Sequence, residues 1–117
     1  MSTPKSGGVE TGQTLLRVAD ELERVRQLGH RVEAAICAIA VRSSFDGAIV
    51  GELQQLDAML QQIGALSDFL NQVGRDCGVG ARIDVSDGLA RVRLSEVRAR
   101  LAGEIGEDGF EEGWEML

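Results

Sequence analysis

Aromatic residues are nearly missing from this chain, which has no Tyr, one Trp and three Phe. A core built from it must be aliphatic, which suits packed helices better than an aromatic-rich sheet. No run approaches the ~20 apolar residues of a membrane span, and the N-terminus lacks the apolar centre of a secretory signal. These absences lead us to expect a cytoplasmic protein of bacterial type with no membrane contact. Basic residues are scarce too: twelve stand against nineteen acidic ones, for a net charge of −7. That balance argues against nucleic acid as a partner, because phosphate contacts need a basic face. The acidity is also localised, since Glu104 to Leu117 holds six acidic residues and no basic one, leaving the rest of the chain at −1.

One histidine and two cysteines show no metal-ligand spacing, so neither a metal nor another cofactor is expected. Cys37 falls near an apolar stripe, a common place for a small buried hydrophobe, and Cys77 in a Gly-rich connection. In a reducing cytosol a disulfide between them is the less favoured reading. Proline occurs once against fifteen glycines, and most of the glycines punctuate the chain rather than interrupt its periodic segments.

What is present is apolar periodicity over a length that suits one domain. Leu15, Val18, Leu22, Val25, Leu28, Val32, Ile36 and Ile39 form one stripe, and Ile49, Leu53, Leu56, Leu60, Ile63, Leu66, Leu70 and Val73 a second. Steps of three and four residues place each stripe along one side of an α-helix. The first helix is expected from about Thr11 to Arg42, with Thr11 or Thr14 as N-cap, and the second from about Ala48 to Val73, with Gly74 as C′ residue. Ser43 to Gly47 would form the turn between them. Folding back pairs Ile39 with Ile49, Leu22 with Leu66 and Leu15 with Val73. Leu16, Met59 and Phe69 then form an uncovered flank for a third helix or a second copy to cover.

The segment from Ile83 to Ile105 reads two ways. Ile83, Val85, Ala90, Val92 and Leu94 alternate around Asp87-Gly88, as in a β-hairpin. Leu89, Val92, Val97, Leu101 and Ile105, with Asp84 or Asp87 as N-cap and Gly103 or Gly106 near the end, read as an amphipathic helix. We take the helix, because a lone hairpin is only marginally stable. The expected fold is all-α: a long antiparallel helical hairpin plus a shorter third helix, the bundle completed by self-association. Residues 1–11 would be a flexible arm, 12–105 the helical bundle domain and 106–117 an acidic amphipathic tail.

Three groups of residues could carry function. His30 lies one residue beyond the first stripe, facing solvent, where a phosphoryl group could reach its ring in line. The string His30-Arg31-Val32 resembles the His-Arg-Val-Lys-Asn string of the phosphotransfer helix in one class of bacterial sensor kinases, with Glu33 and Ala34 here in place of Lys and Asn. Asp57 and Gln61, four apart, share one helix face beside the second stripe. They are similar to the Asp and Gln pair of the CheZ family of chemotaxis phosphatases. That resemblance implies that Gln61 orients a water at a partner's aspartyl phosphate and Asp57 engages the partner's lysine; the family also ends in an acidic docking peptide.

In the tail, Phe110, Trp114 and Leu117 follow the spacing of helix-in-groove anchors and are expected to bind a partner. The Gly74 to Gly80 string lacks the preceding strand and following Lys-Ser or Lys-Thr of a phosphate loop, so it reads as a connector. No Ser, His and acid set points to a hydrolytic or redox enzyme. The sequence therefore suggests a protein-interaction module, not an enzyme, with another protein, such as a response regulator, as partner. Its rivals are a CheZ-like phosphatase and a phosphotransfer protein.

Overall fold

The computed structural model describes residues 8–42 and 47–104. Two long helices dominate, α1 (Thr11–Arg42) and α2 (Gly47–Asp76), packed against each other as an antiparallel hairpin. A short strand β1 (Gly8–Glu10) precedes them, and β2 (Arg82–Asp84), α3 (Ser86–Ala90) and α4 (Ser95–Ala102) follow. No described helix is long and apolar enough to cross a membrane. Residues 43–46 of the expected turn, and the whole of the tail 106–117, lie outside the described residues.

The helices meet along a line of mostly small residues. Gly12 lies against Gly74, and the hydroxyl of buried Ser67 donates to the Ala19 carbonyl at 2.9 Å. Farther along, Leu60, with 1% of its surface exposed, fills the notch left by Gly29, where a Cβ would overlap its Cδ2. Leu60, Ser67 and Gly74 on α2 are seven apart, and so are Gly12 and Ala19 on α1; Ala40 continues that line near the turn. Heptad spacing keeps one line of each helix facing its neighbour. The pairing of levels is close to the expected one.

The rotation of each helix is not. Val25, Val32 and Ile39 of the first stripe, and Leu66 and Val73 of the second, are exposed, Ile39 by 64% and Leu66 by 54%. Glycine, alanine and serine let the backbones approach closely at the line they occupy, so the bulkier line beside it turns outward. Leu16 alone of the expected flank is partly covered, against Gly74, whereas Met59 and Phe69 are exposed. Gly74 is buried within α2 and does not end it; the helix runs on to Asp76. Neither threonine is an N-cap: the Thr11 amide donates to the Ala81 carbonyl, and the Thr14 hydroxyl donates back to the Glu10 carbonyl.

The segment after α2 is neither of the two expected forms. Arg82–Asp84 is extended, but it pairs antiparallel with β1, Val9 opposite Ile83, so the described end of the expected arm is a strand. Asp87-Gly88 lies inside α3, not in a hairpin turn. The expected single helix is two, separated by Arg91 to Leu94. Neither Asp84 nor Asp87 is the N-cap of α3: Val85 holds that position with no side-chain cap, while Asp84, one residue earlier, accepts from the Ser86 amide at 2.9 Å and Asp87 lies in the first turn. Gly103, with φ of 79°, closes α4 in a Schellman arrangement: its amide bonds the Arg100 carbonyl, and that of Glu104 bonds Ala99.

An ion pair fastens α4 to α1. Arg100 donates to both carboxylate oxygens of Glu21, at 2.7 and 2.8 Å, with the two side chains 8% and 14% exposed. Between α1 and the segment after α2 lies an apolar cavity of about 250 Å³ lined by Val18, Ile83, Val85, Leu89, Val92 and Leu101.

Glycine-to-alanine substitutions should divide by position. A Cβ at residue 12 would stand 2.7 Å from the Gly74 carbonyl oxygen. Gly12→Ala should therefore lower stability by about 1–2 kcal/mol, as overpacking does. Gly51 has open space around it within α2, so Gly51→Ala should raise stability by roughly 0.5–1 kcal/mol. Chemical denaturation midpoints of the two variants should move in opposite directions. By the same measurement, Leu60→Ala should cost about 2–5 kcal/mol, as a truncation at a closed site does.

Candidate functional site

The side of the hairpin opposite the exposed apolar stripes is polar. On α1, Glu23, Arg26, His30 and Glu33 recur at steps of three and four, which lines them along one face. On α2, Asp57, Gln61, Gly64 and Asp68 do the same. The two rows border a pair of adjoining open clefts. One, of about 550 Å³, is lined by Glu33, Val50, Leu53, Gln54, Asp57, Ala58 and Gln61. The other, of about 400 Å³, is lined by Glu23, Arg26, His30, Leu60, Gln61, Gly64, Ala65 and Asp68. Gln61 is the shared wall. Gly64 matters to the shape, since a Cβ there would stand 3.1 Å from Arg26 Cδ; its absence lets the arginine stem lie across α2.

Local hydrogen bonds hold these side chains. Gln61 Nε2 donates to Asp57 Oδ2 at 2.9 Å, and Gln61 lines both clefts. His30 Nδ1 lies 3.2 Å from Glu33 Oε1. Arg26 grips Glu23 with Nε at 2.9 Å and with a second, shorter contact, and the Gln27 amide donates to the same carboxylate at 3.3 Å. The Glu23 carboxyl is held below its ordinary range, first by the Arg26 hydrogen bond. Partial burial acts the other way, while the Arg26 charge, the Gln27 amide and His30 add to the lowering. Around the two clefts stand four carboxylates, Glu23, Glu33, Asp57 and Asp68, against one guanidinium. The groove is therefore acidic and favours a cationic visitor over an anionic one.

The structure thus joins candidates that the sequence left apart. Asp57 and Gln61 are in contact, and His30 from the facing helix lines the cleft that Gln61 shares. Glu23, Arg26 and Asp68 went unremarked in the sequence, and Glu33 was noted only as a departure from the phosphotransfer string, although their spacing beside the stripes was a usable signal. Phe110, Trp114 and Leu117 lie outside the described residues. Cys77 sits beside Gly12, whereas Cys37 is 25 residues farther along α1, about 37 Å away at helical rise. A disulfide needs α-carbons within about 7 Å, so the two cannot pair within one chain. Among the described residues no group of three His, Cys, Asp or Glu side chains is placed to hold a metal ion.

A family model described as a domain of unknown function, DUF8776, matches residues 10–113, and the chain belongs to that family. No curated protein and no solved structure matches it.

The Glu23–Arg26 pair predicts a weak pH dependence. A carboxyl with a lowered folded-state pKa adds stability above the unfolded-state value, and that stability is lost as pH falls through the folded value. Replacing Glu23 with Gln should flatten this acid limb in midpoints measured against pH. The change should be small, because both side chains are about a third exposed to screening solvent.

Proposed function

We propose that this chain is a small cytoplasmic protein-interaction module in bacterial signalling, whose acidic groove receives a basic surface of a partner protein. The observation that carries the reading is the array of carboxylates on both helices around Gln61, every described lining residue of the groove lying on α1 or α2. Sites built on helices hold their geometry better than sites on loops. Phe110, Trp114 and Leu117 would add an amphipathic second contact to the same partner.

The hydrogen-bonded Asp57–Gln61 pair supports a second reading, the CheZ-like phosphatase. With Nε2 engaged by Asp57, the Gln61 carbonyl oxygen is free to accept from a water and aim it at the phosphorus of a partner's aspartyl phosphate. Attack of that water would break the acyl phosphate bond and release the partner's carboxylate and inorganic phosphate. A lysine of the partner would meet Asp57, in keeping with the acidity of the groove. Phosphotransfer through His30 has weaker support, because Glu33 stands beside the ring and repels an incoming phosphoryl group.

Charge reversal tests docking at the groove, which both the interaction and the phosphatase readings need, and Gln61→Ala tests the phosphatase reading alone. Asp57→Lys together with Asp68→Lys should abolish partner retention by the tagged chain, and about 0.5 M salt should weaken retention by the native chain. Retention unchanged by either would refute the groove as the docking site. In the phosphatase reading, Gln61→Ala lowers dephosphorylation of a phosphorylated response regulator by about 100-fold, as loss of a positioning group does, while His30→Ala spares it.

A further inference from the structure

We infer that a second copy of this chain covers the exposed apolar face of the hairpin and completes a four-helix bundle. In a two-stranded coil each helix points its apolar stripe at its one neighbour; in a four-helix bundle the stripe points between two neighbours, toward the common axis. Here α1 and α2 touch through Gly12, Ala19, Ser67 and Gly74, while their bulky residues stand beside that line. Val25, Val32 and Ile39 on α1, and Met59, Leu66 and Val73 on α2, are each spaced by seven and each exposed, by 37 to 64%. The neighbours of both rows open to one side: Ile36, between Val32 and Ile39 on α1, shares an apolar cleft with Glu52, which continues the α2 row, and with Ile49 and Leu56 beside it. The side chains give each long helix one neighbour and are patterned for two.

No other element among the described residues fits this face as well. The α1 row begins at Val18, which lines the cavity beneath α3 and α4, so one end of it already accepts a helix. α4 has only eight residues, about 12 Å, and reaches no farther. Among the described residues Glu52 is the charged one on the rows themselves, and it would repel the acidic tail. A second copy brings the same surface, apolar but for Glu52, so two chains of net charge −7 meet where each carries little of its charge. From the level of Val73 to that of Ile39 the face spans about 36 Å, and two packed helices are about 18 Å wide. That footprint is comparable with the ~800 Å² a side that a stable interface buries. The acidic grooves lie on the far sides, so the dimer would present two of them.

The test is the molar mass of the full chain by light scattering and sedimentation from about 1 to 100 µM, where mass action resolves a dimer. The native chain should be a dimer. Val32→Glu and Leu66→Glu should each raise the dissociation constant by about 100-fold or more, because each buries a charge on association. Helicity by circular dichroism should survive, since both side chains are more than half exposed in one chain. Leu66→Gln, which adds no charge, should weaken the dimer less, and Asp57→Asn in the groove should leave it intact. A native monomer throughout the range overturns the proposal, as does a dimer indifferent to both glutamates. A monomer that dimerises only when residues 109–117 are removed also overturns it, assigning the face to the chain's own tail.

Discussion

How closely α1 and α2 approach decides where every other side chain points. Gly12 against Gly74 and Ala19 against Ser67 bring the backbones together at one end, and Gly29 beneath Leu60 repeats the device midway. A larger residue at any of these points would spread the pair and rotate the helices to compensate. With the contact line fixed on small residues, the apolar rows must flank it on one side and the carboxylates on the other. The two-faced character of the hairpin follows from that single constraint. So does its thin core, for Ala19, Ala40 and Leu60 are the buried hydrophobic residues among those described.

Much of this was legible in the sequence, and the limits of that reading are physical. The bounds of α1 are those expected, because thirty residues of strong periodicity leave little room for another choice. The pairing of levels was readable because two stripes of equal length can fold back in few ways. Which of two adjacent heptad lines faces the neighbour was not readable. Periodicity locates the apolar side of a helix, whereas close approach is set by the small residues at its edge. Gly74 shows the cost of reading position alone: at the end of a stripe it resembles a terminator, yet it serves as a contact.

The ribbon of β1 and β2 was hidden for another reason. Its partners lie some 74 residues apart, and a three-residue strand carries almost no pattern of its own. Once Arg82–Asp84 is drawn into that ribbon, the following apolar residues cannot form one continuous helix. They close instead as two short helices over Val18, held by Arg100 and Glu21. The alternation that suggested a strand holds only at Arg82–Asp84, and the spacing that suggested one helix holds in two separate pieces. Long-range pairing divided them.

The groove is the clearest case of a site half visible in sequence. Asp57 and Gln61 are local partners, four residues apart, and their contact could be read directly. His30 and Gln61 border one cleft only because α1 and α2 pair at the levels they do, so that relation becomes visible only with the hairpin built. Electrostatics then weighs the chemistry. A phosphoacceptor histidine must receive an anion, and Glu33 beside His30, with Glu23 in the same cleft, raises the cost of that approach. A glutamine that aims a water carries no such cost, because the phosphoryl group would come seated on a partner whose own cations face the groove. The carboxylates that disfavour transfer to His30 are those that favour docking, so one charge pattern argues against phosphotransfer and for a basic partner surface.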